Sequence, residues 1–251
     1  MPMASLEILG CRLDPIDADA ATDAIASFAR ERDGRQVVTL GTEMVVHAHK
    51  DARFRAIVNA SALSLCDTVG LLAVARRRGA RLRERVTGVE LIERLSARAA
   101  RDGFSMYLLG SAEGVAETAA SLLVERHPRL QVAGTRNGFF EQEQSAGIAA
   151  EIRASGAALL LVGLGSPRQE FWLAEHLAAT GVGAGIGIGG SLDVIAGKVR
   201  RAPEAWRRSG LEWLYRLGKE PQRWRRQLAL PYFVWLIFID GLRSRRKKNS
   251  T

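Results

Sequence analysis

Asp67 closes the short apolar run 62–66 and is followed by Thr68-Val69-Gly70. A carboxylate in that place accepts a proton from a hydroxyl if it faces a cleft, and it also serves well as the N-cap of a following helix. Position alone favours the cap. Thr39, near the end of the run 36–40, has two readings of the same kind: a hydrogen bond to a substrate, or a β-branched residue filling a strand. Arg83-Glu84-Arg85-Val86-Thr87-Gly88 sets guanidinium groups just ahead of a helix start. Arginine forks match phosphate oxygens and a helix N-terminus adds backbone donors, although a solvated basic loop is the commoner meaning of such a run.

Two glycine-rich turns follow apolar runs: Gly110-Ser111-Ala112-Glu113-Gly114, and Gly185 to Gly190 with glycine at 185, 187, 189 and 190. Glycine there permits close backbone approach to a pyrophosphate or nucleoside. Neither turn carries the dinucleotide fingerprint in its proper context or the Gly-Lys-Ser/Thr of a P-loop, so the pattern points to a nucleotide without naming it. Gly165-Ser166-Pro167-Arg168-Gln169-Glu170 reads as a helix start with Ser166 as N-cap and Pro167 in the first turn. That leaves Arg168, Gln169 and Glu170 at a ligand-facing helix end. His47 and His49 point to different faces of a helix, and His127 and His176 have no ligand at metal-binding spacing, so no metal site is expected.

These residues need a frame. Short apolar runs at 36–40, 62–66, 104–109, 130–133, 157–162 and 182–188 read as strands. Between them, 43–58, 71–78, 88–100, 112–126, 146–154 and 167–179 have helical spacing, with Thr87 as a cap for the third. Alternation of this kind predicts an α/β, Rossmann-like, mostly parallel sheet with helices on both faces. Such sheets bind ligands beyond the carboxyl ends of their strands, which is where the junctions above fall.

Composition divides the chain near Lys198. Residues 198–251 hold 15 basic and 4 acidic side chains, against 21 basic and 23 acidic in 1–197, and four of the five tryptophans lie in the same tail. The expected organisation is an α/β catalytic domain over 1–197 and a basic, tryptophan-rich helical appendage over 198–251. Two cysteines far apart, Cys11 and Cys66, argue against a disulfide framework and for a reducing compartment. The first residues lack the basic and apolar regions of a signal peptide.

In the tail, 206–226 reads as an amphipathic helix with a break at Gly218 and a restart at Pro221. The run 228–239 is almost wholly apolar, interrupted by Pro231, and is shorter than the roughly 20 residues a bilayer crossing needs. With the basic cluster 243–248 it fits an interfacial helix on anionic lipid. Packing on the sheet or a homo-oligomer interface is the next reading. Nucleic acid comes last, because the apolar content at 234–239 exceeds what a nucleic-acid groove requires.

Taken together, the junctions resemble the WecG/TagA/CpsF glycosyltransferases over nearly the whole chain. The matching residues are Val38-Thr39 with Glu43 to Val46, Cys66-Asp67 with Gly70, Glu84 to Gly88, Asn137 to Phe140, Gly163 to Glu170, and Gly189 to Asp193. The tail adds AGKVRRAP from Ala196, GLEWLYRL from Gly210 and EPQRWRR from Glu220. The resemblance implies an inverting, metal-independent and cofactor-free transfer of a sugar from a UDP donor to a polyprenyl-diphosphate-linked sugar, in cell-surface polysaccharide synthesis. An N-acetylmannosamine-type, glucosyl or uronic sugar is the candidate. The enzyme would sit on the cytoplasmic face of the plasma membrane.

Residue by residue, the resemblance makes Asp67 the general base, with Thr39 beside it and Arg85 and Gln169 lining the site. Gly110, Phe139, Gly189, Gly190 and Asp193 fall to the donor nucleotide, and Arg216, Arg223 and Arg226 to the diphosphate. Gly41 stands where many members have asparagine, Glu90 where aspartate is usual, and Phe139 where tyrosine is usual, which leaves sugar specificity open. The rival from another class is a catalytically inactive nucleotide-binding assembly protein docked through its tail.

Overall fold

The structure, a computed structural model, describes residues 5–203 and 228–248, together with 206, 214, 215 and 218. The expected helices over 206–226, with Arg216, Arg223 and Arg226, lie outside the described residues apart from those isolated positions.

The chain opens with a hairpin that the sequence reading does not contain. Strands β1 (Leu6–Ile8) and β2 (Cys11–Leu13) pair antiparallel through a two-residue turn in which both Leu9 and Gly10 have positive φ. That backbone matches the twist of the two strands. Asp14 then borders the main sheet: its N–H donates to Ser64 O, and its carboxylate accepts from Ser64 N, each at 2.8 Å. The hairpin end thus satisfies backbone groups that an edge strand would leave open. Helix α1 (Ala18–Glu31) follows, capped by the Asp17 carboxylate on Ala20 N at 2.9 Å, and buries Ala18, Ala21, Ile25, Ala26 and Ala29 at helical spacing.

Six parallel strands form the main sheet: β3 (Arg35–Leu40), β4 (Leu63–Cys66), β5 (Ser105–Gly110), β6 (Gln131–Arg136), β7 (Leu159–Gly163) and β8 (Ala184–Gly187), in the order β4-β3-β8-β7-β5-β6. Alternate residues serve opposite faces. Met106, Leu108, Leu159 and Leu161 join one core with α1, α5 (Gly88–Asp102), α6 (Val115–Arg126) and the short α9 (Ser191–Ile195). Tyr107, Leu109, Leu160 and Val162 face α7 (Ser145–Ala154) and α8 (Arg168–Thr180). Burial on both faces explains why the strands read as continuous apolar runs.

The expected helix over 43–58 is two helices, α2 (Thr42–Lys50) and α3 (Ala52–Ala60). Asp51 between them has an extended backbone, and its carboxylate accepts from Arg53 N at 2.9 Å and Phe54 N at 3.0 Å. A side chain that competes so well for backbone donors restarts a helix even where apolar spacing runs through. Ser166 is likewise not the cap of α8: Pro167 holds that position, after a cis Ser166-Pro167 bond, and no side chain caps the helix. Thr87 does cap α5 by accepting from Glu90 N.

After α4 (Val69–Arg77), the last described element is α10 (Ala229–Lys248). Pro231 does not interrupt it, because a first-turn proline has no intrahelical N–H to lose. Phe233 and Leu236 are buried in the core formed with α2, α3 and α4, while Val234, Trp235, Phe238 and Leu242 are exposed. Arg78 and Asp240 form an ion pair at 2.6 Å, and Lys50 Nζ stands 4.8 Å from the Tyr232 ring. Part of the expected interfacial face is therefore a packing face. Among the described residues no helix is long and apolar enough to cross a membrane.

Candidate active site

At the carboxyl edge the chain leaves β7 toward the α8 face, but leaves its neighbours β5 and β8 toward the face of α6 and α9. Diverging connections of this kind open a crevice between strands. Gly110 ends β5 with φ +141, and a Cβ there would lie 2.5 Å from the Gly163 backbone, so the two strand ends meet without side chains between them. Ser111 then connects three junctions. Its N–H donates to Gly163 O at 3.1 Å, its carbonyl accepts from Gly138 N at 2.8 Å, and its hydroxyl donates to the Asp193 carboxylate at 3.0 Å. Asp193 is thereby held beside the first glycine turn, 82 residues away in sequence.

The second glycine turn rests on α8. Gln169 is 2 % exposed: its Oε1 accepts from Gly189 N at 2.9 Å, and its Nε2 donates to Glu170 Oε1 at 2.7 Å. Glu170 is 1 % exposed, and burial pushes its carboxyl above the usual range, against the opposing hydrogen bond from Gln169. The Thr39 hydroxyl donates to Gly187 O at 2.8 Å, tying β3 to the end of β8. This commits the proton of Thr39 to the sheet and leaves its oxygen lone pairs as acceptors.

The third cluster stands at β4. Asp67 is half-buried, and its N–H donates to Leu40 O at 3.0 Å. Thr68, with no side-chain cap bond, holds the N-cap position of α4, so the cap reading of Asp67 does not apply. Val86 N donates to Cys66 O at 2.7 Å, which draws the 83–88 segment across the strand end. Asp67 and Arg85 both act on the Cys66 thiol, which is pushed up to about 12, chiefly by burial. From there Thr87-Gly88 leads into α5, and a Cβ on Gly88 would fall 2.6 Å from Ser191 Oγ. Arg201 fastens the same corner, donating to Glu90 Oε1 at 2.9 Å and Thr87 Oγ1 at 3.3 Å. Phe233 of α10 also reaches this end, beside Gly70.

Asp67, Thr39 and Arg85 thus gather at β4 and β3, and Gly189, Gly190, Asp193 and Gly110 at β8 and β5. Gln169 is brought beneath the glycine turn. Phe139 is not brought to Asp67. It stands after β6, at the opposite edge of the sheet, five strand spacings or about 24 Å away. There it is 77 % exposed and lines a groove of about 810 Å³ with Phe140, Arg168, Trp172 and His176, on the outer side of α8. Arg168, expected at a ligand-facing end, donates instead to the carbonyls of Gly138 and Phe140 at 3.0 and 2.8 Å and covers the Phe140 ring.

Glu170, expected at a ligand-facing helix end, is buried instead, and two residues, Ser111 and Arg201, were not singled out from sequence. Each is a polar residue inside a recognised motif, and only its distant partner distinguishes it. Among the described residues no group of three or more His, Cys, Asp or Glu stands in position to hold a metal ion. A family model described as the glycosyl transferase WecG/TagA/CpsF family matches residues 6–247.

Proposed function

Since the chain belongs to the WecG/TagA/CpsF family of glycosyl transferases, we propose that it is an inverting transferase moving a sugar from a UDP donor to a polyprenyl-diphosphate-linked sugar. The observation that carries this reading is Asp67: half-buried at the end of β4, excluded as a helix cap, and flanked by the Arg85 segment and by Thr39. An inverting displacement needs a base for the attacking hydroxyl and positive charge for the leaving group.

In the proposed step, the acceptor oxygen attacks the anomeric carbon from the face opposite UDP. The new C–O bond forms as the bond to the β-phosphate oxygen breaks. Asp67 takes the hydroxyl proton, and the bonding pair leaves with UDP. Arg85 and the tail arginines Arg216, Arg223 and Arg226 supply charge to the diphosphates. Gly110, Gly189, Gly190 and Asp193 surround the nucleotide, and Phe139 reaches its outer end.

The membrane part of the proposal assigns the exposed Val234, Trp235, Phe238 and Leu242 face of α10, continued by the basic sequence 243–248, to the inner leaflet of the plasma membrane. An apolar face beside a run of cations matches an anionic lipid surface better than it matches water.

The test is UDP release over several UDP-sugars with a short-chain lipid-diphosphate acceptor, for wild type and Asp67→Asn. The expected result is a loss of at least about 10²-fold in turnover with UDP binding retained. Unimpaired transfer by Asp67→Asn removes the base assignment, and UDP binding without transfer in wild type leaves an inactive assembly protein.

A further inference from the structure

We infer that Glu170 is a positioning residue that, through Gln169, sets the conformation of the Gly189–Gly190 turn. The inference rests on the donor reading above, because that turn is the one placed against the nucleotide.

The argument begins with an amide that has only one useful orientation. Gly189 N–H donates to the Gln169 side chain at 2.9 Å, so the oxygen of that amide has to face the turn and its nitrogen has to face away. A buried NH₂ facing away needs an acceptor, and Glu170 Oε1 supplies it at 2.7 Å. Without that acceptor, the amide loses one of the two bonds that hold it against a half-turn, which would set donor against donor at Gly189.

Packing leaves no room for a substitute. A Cβ on Gly187 would lie 2.6 Å from Gln169 Nε2 and 3.0 Å from Glu170 Oε1, so both side chains press on the bare end of β8. The same glycine carries the carbonyl that accepts from Thr39.

The carboxyl is costly where it stands. Glu170 is 1 % exposed, and its Oε2 is buried without a hydrogen-bond partner. An apolar side chain of similar volume would fill the space with no orphan oxygen. What the carboxyl adds is the acceptor Oε1. Burial also favours its uncharged form, so a carboxamide, with its carbonyl toward Gln169, is the closest mimic.

The experiment measures amide hydrogen exchange at Gly189 by NMR in the full-length, ligand-free protein, alongside UDP titration, for wild type, Glu170→Leu and Glu170→Gln. Glu170→Leu is expected to speed Gly189 exchange about tenfold relative to the rest of the sheet, the loss of roughly one hydrogen bond, and to weaken UDP binding. Glu170→Gln is expected to restore both. Wild-type protection at Gly189 in Glu170→Leu overturns the proposal. So does a Glu170→Gln protein as unprotected as the leucine variant, and that arm decides alone if Glu170→Leu does not fold. If Gly189 protection follows the variants but wild type binds no UDP, the positioning role stands and the donor reading falls.

Discussion

At the β4 end of the sheet and at its β8–β7 centre, the same chemical group is treated in opposite ways. Asp67 ends a strand at the sheet's edge, half-open to water, with its backbone held by Leu40 O and the Arg85 segment drawn across it. Glu170 lies under the bare end of β8, closed off from water, with one oxygen held by an amide and the other by nothing. A group that is to take a proton from a substrate has to be reachable. A group that is to hold a loop has to be immobile. Partial exposure serves the first and burial the second, and the fold provides both at strands two places apart in one sheet.

The comparison breaks most directly at Asp67. Asp67→Asn is expected to cost at least about 10²-fold in turnover with UDP release as the readout, and a smaller loss would place the base elsewhere. Next in size is the contrast within α10. Phe233→Ala removes a buried ring from the core shared with α2 and should cost about 3 kcal/mol in chemical denaturation. Phe238→Ala on the exposed side should stay within about 0.5 kcal/mol. Equal costs would mean that the helix is not seated as described.

The exposed side has its own test. Trp235→Glu combined with Phe238→Glu should reduce sedimentation with vesicles containing anionic lipid, and leave unfolding unchanged. Undiminished binding would end the membrane role of that face.

The smallest effect expected is a pH dependence of stability. Because burial raises the Glu170 carboxyl above its ordinary 4.5, the folded chain keeps a proton that the unfolded chain releases between the two values. Folding stability from this group is therefore complete below 4.5, declines as pH rises toward the raised value, and then levels off. Denaturation midpoints of wild type and Glu170→Gln should diverge over that interval, with wild type falling. Parallel curves would mean that Glu170 is ionised in the fold.

Much of the frame was legible in the residues. Strands buried on both faces read as apolar runs, and amphipathic helices alternate with them, so the parallel α/β class and the position of the junctions follow from pattern. Among the features that escaped, three have identifiable reasons. The β1–β2 hairpin consists of two three-residue strands, too short for alternation to register. Asp51 divides α2 from α3 although helical spacing continues across it, because a carboxylate bonded to two backbone N–H groups outweighs periodicity. The apolar run beyond residue 228 was read as one surface, whereas docking against α2 separates Phe233 and Leu236 from Trp235 and Phe238.

The sequence by itself determined which residue types stand at the strand ends: the carboxylate Asp67, the glycine turns, the arginine segment and the polar start of α8. It could not determine which of these face a ligand and which face one another. Gln169 and Glu170 are adjacent in sequence and both polar, and adjacent side chains on a helix point about 100° apart. The glycine that lets both turn inward, Gly187, comes from another strand. Asp193 meets Ser111 across 82 residues for the same reason. Hydrogen bonding and burial at a strand end are set by the neighbouring strands, and the strand order β4-β3-β8-β7-β5-β6 that supplies those neighbours exists only once the sheet has closed.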